Sequence, residues 1–289
     1  MLGSYITRTL LKDGYDVTAS VYPGSNTDMI NSLPIRITEG DITSDLPYAE
    51  LLSDCDYIIH AAATTQIWPK RDTKIWKINH EATLKLAQAA KALHIKRFVH
   101  IGTGSSFSPK HPEFMGNESI QDYDDQFGMD YMDSKAAVQH DLLQWHEREG
   151  FPVIIINPTY MIGPHDSGPT SGTLILNMMR GGMQGVATGG KNVVYSGDVA
   201  RTAVNALTMG RTGQCYIARG ENVSFSQLVS YVNKSLVVKS TNLIAPYPLT
   251  LGVSALLSSV ARIKTKLQSS ASRWRASVRQ RPILTQTKH

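Results

Sequence analysis

Apolar and polar residues alternate along the first half of the chain in two periods, one typical of helices and one typical of strands. Leu2, Ile6 and Leu10 recur every fourth residue, which predicts a helix over residues 1–14 that ends at Gly14. Further helices are predicted at 73–94 and 131–149, and strands at 15–22, 34–41, 55–63, 97–101 and 152–157. Strands that alternate with helices form right-handed crossovers around a parallel sheet. The pattern therefore predicts an α/β fold with a doubly wound parallel sheet.

The alternation becomes less regular after Pro158. Helices are predicted at 174–180, 198–209, 225–236 and 248–266, and a strand at 215–218. Ser224 is the expected N-cap of the third of these helices. From Gln268 the Ser/Arg/Gln-rich chain has no period that would bury it. We therefore expect a core domain over 1–160, a mainly substrate-binding portion over 161–266 with parts that return to the core, and a disordered basic tail over 267–289.

The composition changes this picture little. With 289 residues, 42% of them hydrophobic, the chain can bury a full core. Its net charge of +5 comes from the region after position 261, which contains eight Lys and Arg residues and no Asp or Glu. The charge therefore does not indicate a nucleic-acid partner. The two cysteines suggest neither a disulfide framework nor a metal cluster, and the nine histidines have no metal-ligand spacing. Because the chain shows no signal peptide and no apolar run that would span a membrane, we expect a cytoplasmic protein.

Tyr131 and Lys135 lie four residues apart at the start of the predicted helix 131–149, so their side chains share one helix face. A phenol titrates too high to exchange protons readily at neutral pH unless a nearby cation favours the phenolate, and the Lys135 ammonium is such a cation. The pair could therefore give a proton to a carbonyl oxygen or take one from an alcohol. By itself the spacing also fits a solvated pair on a helix surface. The surrounding strands favour the chemical interpretation, because ligands of doubly wound sheets bind at the carboxyl ends of the strands.

Seven short motifs follow one another in a characteristic order. They are Gly40-Asp-Ile42, His60-Ala-Ala-Ala63, Asn79 with the helix after it, Lys96–Thr103, Tyr131-x-x-x-Lys135, Asn157–Pro164 and Gly197–Ala200. In this order and spacing the chain resembles the extended short-chain dehydrogenase/reductases, the NAD-dependent epimerase/dehydratase superfamily, whose core is Rossmann-like. The Asn-Pro-Thr form of the Pro158 loop resembles the dihydroflavonol 4-reductase-like branch. The resemblance covers residues 1–265.

The resemblance implies a cofactor site for NADP or NAD. Gly3 would be the last glycine of a phosphate-binding turn, and Asp41 and Ile42 would lie against the adenine. Small side chains would let the cofactor pass close to the backbone at Ala61, Ala62 and Ala63. Simpler interpretations remain open, since Asp41 would also suit a turn and the three alanines would also suit close packing. The turn at 21–26 has no acid for a ribose diol, which favours NADP, but it also has no arginine for a 2′-phosphate.

The resemblance also implies the catalytic roles. Tyr131 would be the general acid, and Lys135 would lower its pKa and bind the nicotinamide ribose. The Thr103 hydroxyl would donate to the substrate carbonyl. The remaining positions are Asn79, which would order water and backbone, and Pro158 and Thr159, which would line the carboxamide end of the nicotinamide. Asn79 and Thr103 would also suit capping or turn positions.

The chain departs from the family at both ends. A dinucleotide site of this type needs a first strand and a Gly-rich turn ahead of a helix N-terminus, whose amides hold the pyrophosphate. The sequence begins at what resembles the last glycine of that turn, so we expect either an N-terminally truncated chain or a degenerate member with weak or no cofactor binding. Residues 273–281 also look foreign to the family.

Three functions therefore compete. The first is an NAD(P)(H)-dependent oxidoreductase that reduces a carbonyl or oxidises an alcohol of a mostly apolar small molecule, as the side chains of Phe107, Tyr160, Met161, Met178 and Met179 suggest. The second is a nucleotide-sugar epimerase or dehydratase. Residues 155–190 contain a single Lys or Arg, Arg180, and this shortage of positive charge for a diphosphate argues against it. The third is an inactive cofactor-binding or scaffold protein. The resemblance further implies a homodimer through helices near 80–93 and 134–147.

Overall fold

The computed structural model describes residues 1–107, 118, 128–166, 168, 171–180, 186–236 and 244–245. Its α-helices are α1 (Leu2–Lys12), α2 (Tyr48–Leu52), α3 (Thr73–Trp76), α4 (Ala82–Ala92), α5 (Asp130–Glu149), α6 (Gly172–Met179), α7 (Ser196–Met209) and α8 (Phe225–Leu236). Its strands are β1 (Thr18–Val21), β2 (Arg36–Glu39), β3 (Tyr57–His60), β4 (Arg97–Ile101), β5 (Val153–Pro158), β6 (Tyr160–Ile162), β7 (Val186–Ala187), β8 (Gly190–Tyr195), β9 (Gln214–Ala218), β10 (Glu221–Ser224) and β11 (Ile244–Ala245).

The alternating elements predicted for the first 160 residues are present. The predicted helix 73–94 is continuous from α3 to α4, but a π-helical turn, Lys77–Glu81, interrupts its regular hydrogen bonding. The predicted helix 131–149 ends where expected, because Gly150 takes the left-handed conformation with φ +69°. The predicted helix 248–266 and tail 267–289 lie outside the described residues.

Four parallel strands in the order β3-β4-β5-β9 form the main sheet. Alternate side chains of β4 point to opposite faces of this sheet. Val99 packs with residues of α1 and α7, whereas Phe98 packs with residues of α4 and α5. β5 is buried along its whole length, as its run of apolar residues predicted. Helices therefore cover both faces of the sheet, which confirms the predicted doubly wound α/β class.

The parallel pairing of strands is divided into separate ladders. β1 pairs with β2, and among the described residues no ladder joins this pair to β3. The two regions meet instead through side chains: the rings of Tyr15 and Tyr57 contact edge to face with centroids 6.1 Å apart. The strand pattern predicts one continuous parallel sheet. The separation of the β1–β2 pair from the main sheet differs from that prediction.

A three-stranded sheet, β10-β8-β6, is formed by strands that follow β5 in the sequence and lie before and after β9. Apart from Ser224, the last residue of β10, it belongs to a compact unit that includes residues 1–107, 128–166, 171–180 and 190–223. A second unit includes residues 186–189, 224–236 and 244–245, and β7 pairs with β11 in this unit. The predicted cap of α8 is present: the Ser224 hydroxyl accepts from the Gln227 amide at 3.1 Å, and the Gln227 side chain accepts from the Ser224 amide at 2.9 Å. Within the described part of the chain, no helix has the length and apolar character needed to cross a bilayer.

Candidate active site

The carboxyl ends of three neighbouring strands bring the predicted site residues to one edge of the main sheet. His60 at the end of β3 pairs with His100 of β4, and Ile101 at the end of β4 pairs with Ile156 of β5. The residues that follow each strand therefore share this edge. They are residues 61–63, 102–103 and 159.

Thr103 and Tyr131 meet at this edge although they lie far apart in the sequence. The Thr103 hydroxyl lies close enough to the Tyr131 phenol to lower its pKa, and Thr103 is 8% exposed. Its backbone amide donates to Asn157 Oδ1 at 2.9 Å, which fixes the turn after β4. The preceding residue must be small, because a Cβ on Gly102 would lie 2.1 Å from Asn157 Oδ1. Asn157 and Gly102 thus set the position of the Thr103 hydroxyl.

Lys135 lies one helical turn after Tyr131 and points into the protein. Its ammonium donates to the carbonyl of Ile101 at 2.7 Å, and the residue is 3% exposed. Burial lowers the pKa of Lys135 from 10.5 to about 7, since a charged ammonium loses its hydration there. One carbonyl uses one of three N–H donors, so the side chain retains donors for a ligand hydroxyl.

Two opposing effects act on the phenol of Tyr131. Burial raises its pKa above the ordinary value of 10.0, and the nearby Thr103 hydroxyl lowers it, with burial the larger effect. The protein without ligand therefore keeps Tyr131 in its neutral, proton-bearing form at neutral pH. This is the form that a general acid requires.

Asn79 connects the helix before the site to the loop after β3. It lies in the π-helical turn, is fully buried, and exchanges two hydrogen bonds with the backbone of Thr64: its Oδ1 accepts at 2.9 Å and its Nδ2 donates at 3.0 Å. The same amide donates to Ser134 Oγ at 3.3 Å. Asn79 therefore orders the backbone of the loop beside α5 and is not a cap, and its role in ordering active-site water remains a prediction.

Two buried histidines lie beneath the site on β3 and β4. Their rings are 5.6 Å apart, and His60 Nε2 shares a hydrogen bond of 3.0 Å with the Thr83 hydroxyl. Burial, followed by the charge of Lys135, lowers the pKa of His60 to about 3 and that of His100 well below its ordinary value. Both imidazoles are therefore neutral at neutral pH, which avoids a cluster of like charges around the lysine.

The residues predicted for the adenine end lie in the other ladder. Asp41 follows β2 and its carboxylate accepts from the amide and hydroxyl of Thr43 at 2.9 and 2.7 Å. These bonds lower the pKa of Asp41 and make it a turn residue, which leaves a role at the adenine as a prediction. Ile42 is partly buried, and its carbonyl accepts from the Tyr48 hydroxyl at 3.4 Å. No described contact joins Asp41 or Ile42 to Tyr131.

Three further predicted positions leave space for a ligand. Gly3 lies in the first turn of α1, and a Cβ built there would meet no atom within 4 Å. Ala62 and Ala63 are exposed, whereas Ala61 packs partly into the core. The first amides of a helix have no partner within the helix, so the start of α1 suits an anionic group.

Pro158 and Thr159 lie at the same edge of the main sheet, at the end of β5 and directly after it. Pro158 is buried in β5. The Thr159 hydroxyl donates to Asn192 Oδ1 at 2.8 Å, and its amide donates to the Ala218 carbonyl at 3.1 Å. Both groups of Thr159 thus bind protein atoms, and its contact with a carboxamide remains a prediction.

The apolar side chains that suggested an apolar substrate differ in their exposure. Phe107 and Met178 are each 2% exposed, and Phe107 belongs to the core between α4, α5 and the sheet. These two side chains are buried in the protein interior. Met179 is 48% exposed, and the Tyr160 ring lies 4.7 Å from the Lys191 ammonium. Among the described residues, no three His, Cys, Asp or Glu side chains converge as a metal site would require.

Comparison with known proteins identifies the family. The sequence profile of the NAD dependent epimerase/dehydratase family matches residues 1–218. The chain belongs to this family. A Synechocystis sp. protein, provisionally named a dihydroflavonol 4-reductase, is 28% identical over 80% of this chain and 68% of its own length. Sterol demethylase protein B of Methylococcus capsulatus is 27% identical over 88% of this chain and 77% of its own length.

The fold is also found in solved structures. A nucleoside-diphosphate-sugar epimerase from Pseudomonas aeruginosa superposes with a TM-score of 0.75 at 21% identity, covering 88% of this chain and 80% of that one. The matches confirm the family and the Rossmann-like fold predicted from the motifs. Reductases are among the relatives, as the predicted branch implies, at modest identity.

Proposed function

We propose that this family member is an NAD(P)(H)-dependent oxidoreductase that interconverts a carbonyl group and an alcohol. The observation that carries the proposal is the proximity of the Tyr131 and Thr103 hydroxyls, with the buried Lys135 one turn further along the same helix. Two hydroxyl donors side by side suit one carbonyl oxygen, which gains negative charge as it is reduced.

Each residue has a distinct role. Tyr131 transfers its proton to the carbonyl oxygen, while Thr103 donates a hydrogen bond that holds the oxygen in place. Lys135 binds ligand hydroxyls with its remaining donors and, when protonated, stabilises the phenolate that Tyr131 leaves behind. When bound, a reduced nicotinamide supplies the hydride for the carbonyl carbon. The start of α1 and the small residues Ala62 and Ala63 would accommodate the rest of the dinucleotide.

The proposed substrate is a mostly apolar small molecule. Residues 155–190 contain one Lys or Arg, Arg180, and a nucleotide sugar would require more positive charge for its diphosphate. The names of two relatives refer to a flavonoid and a sterol, which are substrates of this kind. Nucleotide-sugar epimerisation is the second candidate, because the solved structure of similar fold is named an epimerase.

The test is a turnover assay with purified protein, NADPH or NADH, and a panel of aromatic and alicyclic ketones. We expect cofactor oxidation with at least one ketone and a loss of about a hundredfold or more in kcat for Tyr131→Phe, which retains the ring but lacks the proton. Thr103→Val should lower kcat about tenfold or more, since one donor to the oxygen is lost. Equal rates for the parent and Tyr131→Phe, or turnover of nucleotide sugars alone, would refute the proposal.

A further inference from the structure

Asp130, the residue immediately before Tyr131, is an unusually well-bonded carboxylate for the first turn of a helix. It is 5% exposed, and its backbone amide donates to the Lys70 carbonyl at 2.8 Å. Its Oδ1 accepts from Arg71 Nη1 at 2.8 Å, and its Oδ2 accepts from the Asp72 amide at 2.6 Å. The Trp76 side chain provides a further hydrogen bond to it. The backbone and side chain of this one residue thus hold residues 70–72 and α3 against the start of α5.

The carboxylate is charged despite its burial. Desolvation alone would raise the pKa of Asp130, but the hydrogen bonds from Arg71, Trp76 and the Asp72 amide outweigh desolvation, and the pKa falls below its ordinary value. Hydrogen bonds to a charged acceptor are roughly twice as strong as neutral ones. The attachment at Asp130 is therefore stronger than an ordinary side-chain contact.

A second attachment lies at the other end of the same segment. Asn79 holds the backbone of Thr64 through two hydrogen bonds and also donates to Ser134. Ser134 lies between Tyr131 and Lys135 on α5. The segment 64–72 is consequently tied to the catalytic helix at both ends, once before Tyr131 and once after it.

We propose that Asp130 is a positioning residue for Tyr131. Its bonds to residues 71, 72 and 76 fix the first turn of α5 and thereby the distance between the Tyr131 phenol and the Thr103 hydroxyl. Asp130 acts through the helix and touches neither substrate nor cofactor. Proton transfer is sensitive to displacement, and a shift of about 1 Å can reduce a rate a hundredfold. The inference rests on the proposed function, because it assigns Tyr131 as the proton donor.

The test compares Asp130→Asn with Asp133→Asn. Both remove one negative charge next to Arg71, since Asp133 Oδ2 also accepts from Arg71 Nη1 at 2.7 Å, but Asp130 alone bonds the Asp72 amide. An amide at position 130 turns an N–H₂ group toward donors and cannot replace the carboxylate. We expect kcat to fall about tenfold or more for Asp130→Asn and less than about threefold for Asp133→Asn.

The dissociation constant of the cofactor separates positioning from general damage to the fold. A loosened fold would weaken cofactor binding and lower kcat together, whereas a displaced Tyr131 lowers kcat alone. The value of kcat is calculated from the concentration of protein that binds cofactor, so that unfolded protein does not lower it. We expect the cofactor dissociation constant of Asp130→Asn to stay within about threefold of the parent. A milder variant, Trp76→Phe, removes one donor to Asp130 and keeps a ring, and should lower kcat about threefold.

The outcomes distinguish this inference from the proposed function. If Tyr131→Phe abolishes turnover but Asp130→Asn and Asp133→Asn behave alike, Asp130 is not a positioning residue and the proposed function stands. A parallel loss of cofactor affinity and kcat in Asp130→Asn would also overturn the positioning role. If the parent and Tyr131→Phe turn over at equal rates, both proposals fail.

Discussion

At the scale of single residues, the burial of Lys135 has the largest consequence. A buried ammonium with one carbonyl partner has exchanged much of its hydration for a single hydrogen bond. This lowers its pKa to about 7, so near neutral pH the residue exists in both protonation states. A lysine in this condition exchanges protons readily and responds to any ligand that brings charge or hydroxyl groups beside it.

Lys135→Met should raise stability, with a strong dependence on pH. The folded-state pKa of about 7 lies below the unfolded-state value of 10.5, so below pH 7 the protein bears the full cost of burying a charge. Between pH 7 and 10.5 this cost declines by about 1.4 kcal/mol per pH unit, and above 10.5 it vanishes. Urea unfolding of the parent and the variant across pH 6–10 measures the difference in free energy of unfolding. A difference that does not change with pH would show that Lys135 titrates normally.

At the scale of elements, the turn after β4 places Thr103 through a contact between two strands. Gly102 and Asn157 lie 55 positions apart in the chain, and the amide oxygen of Asn157 occupies the space that any side chain at position 102 would need. β4 and β5 pair in parallel register up to Ile101 and Ile156, so the two residues are held side by side. The geometry of the site at this point is therefore fixed by the sheet.

Gly102→Ala should lower both stability and turnover. Its Cβ would overlap Asn157 Oδ1, and the displaced amide would release the Thr103 backbone. Overpacking of this kind costs about 1–3 kcal/mol. The double variant Gly102→Ala/Asn157→Ala removes the overlap, so its loss of stability should be smaller than the sum of the two single losses. Thermal unfolding of the four proteins checks this, and simple additivity would contradict the contact.

The sequence permitted prediction of residues whose spacing is local or follows a strand. Tyr131 and Lys135 were predicted from their separation of four, and the role of Thr103 from the resemblance of the motif that ends the fourth predicted strand. Asn157, Asp130 and Arg71 act through contacts between distant segments, for which a single sequence contains no periodic signal. β8 was missed because Gly190, Lys191 and Asn192 begin it with polar residues, and the division of the sheet into ladders depends on pairing, which hydrophobic patterns do not specify.

At the scale of the whole molecule, Tyr131, Thr103 and Lys135 lie at one edge of the main sheet, while the residues predicted for the adenine end lie in a separate ladder. The main sheet and α5 hold Tyr131, Thr103 and Lys135 in contact with the protein core. Asp41 and Ile42 depend on the β1–β2 pair, which meets β3 through the Tyr15–Tyr57 contact. If Asp41 and Ile42 bind the adenine as predicted, cofactor binding depends on both regions, and a binding measurement tests the two together.

The most direct measurement is a fluorescence titration of NADPH and NADH into the purified protein. We expect saturable binding of at least one cofactor, with a dissociation constant on the order of micromolar, and an unfolding temperature that rises with cofactor concentration. Lys135→Met should weaken this binding, because it removes the donors to the ribose hydroxyls, whereas Tyr131→Phe should bind nearly as the parent does. If neither cofactor binds up to roughly millimolar concentration, where specific binding would be weaker than about 4 kcal/mol, the protein as it stands is not an NAD(P)(H)-dependent oxidoreductase.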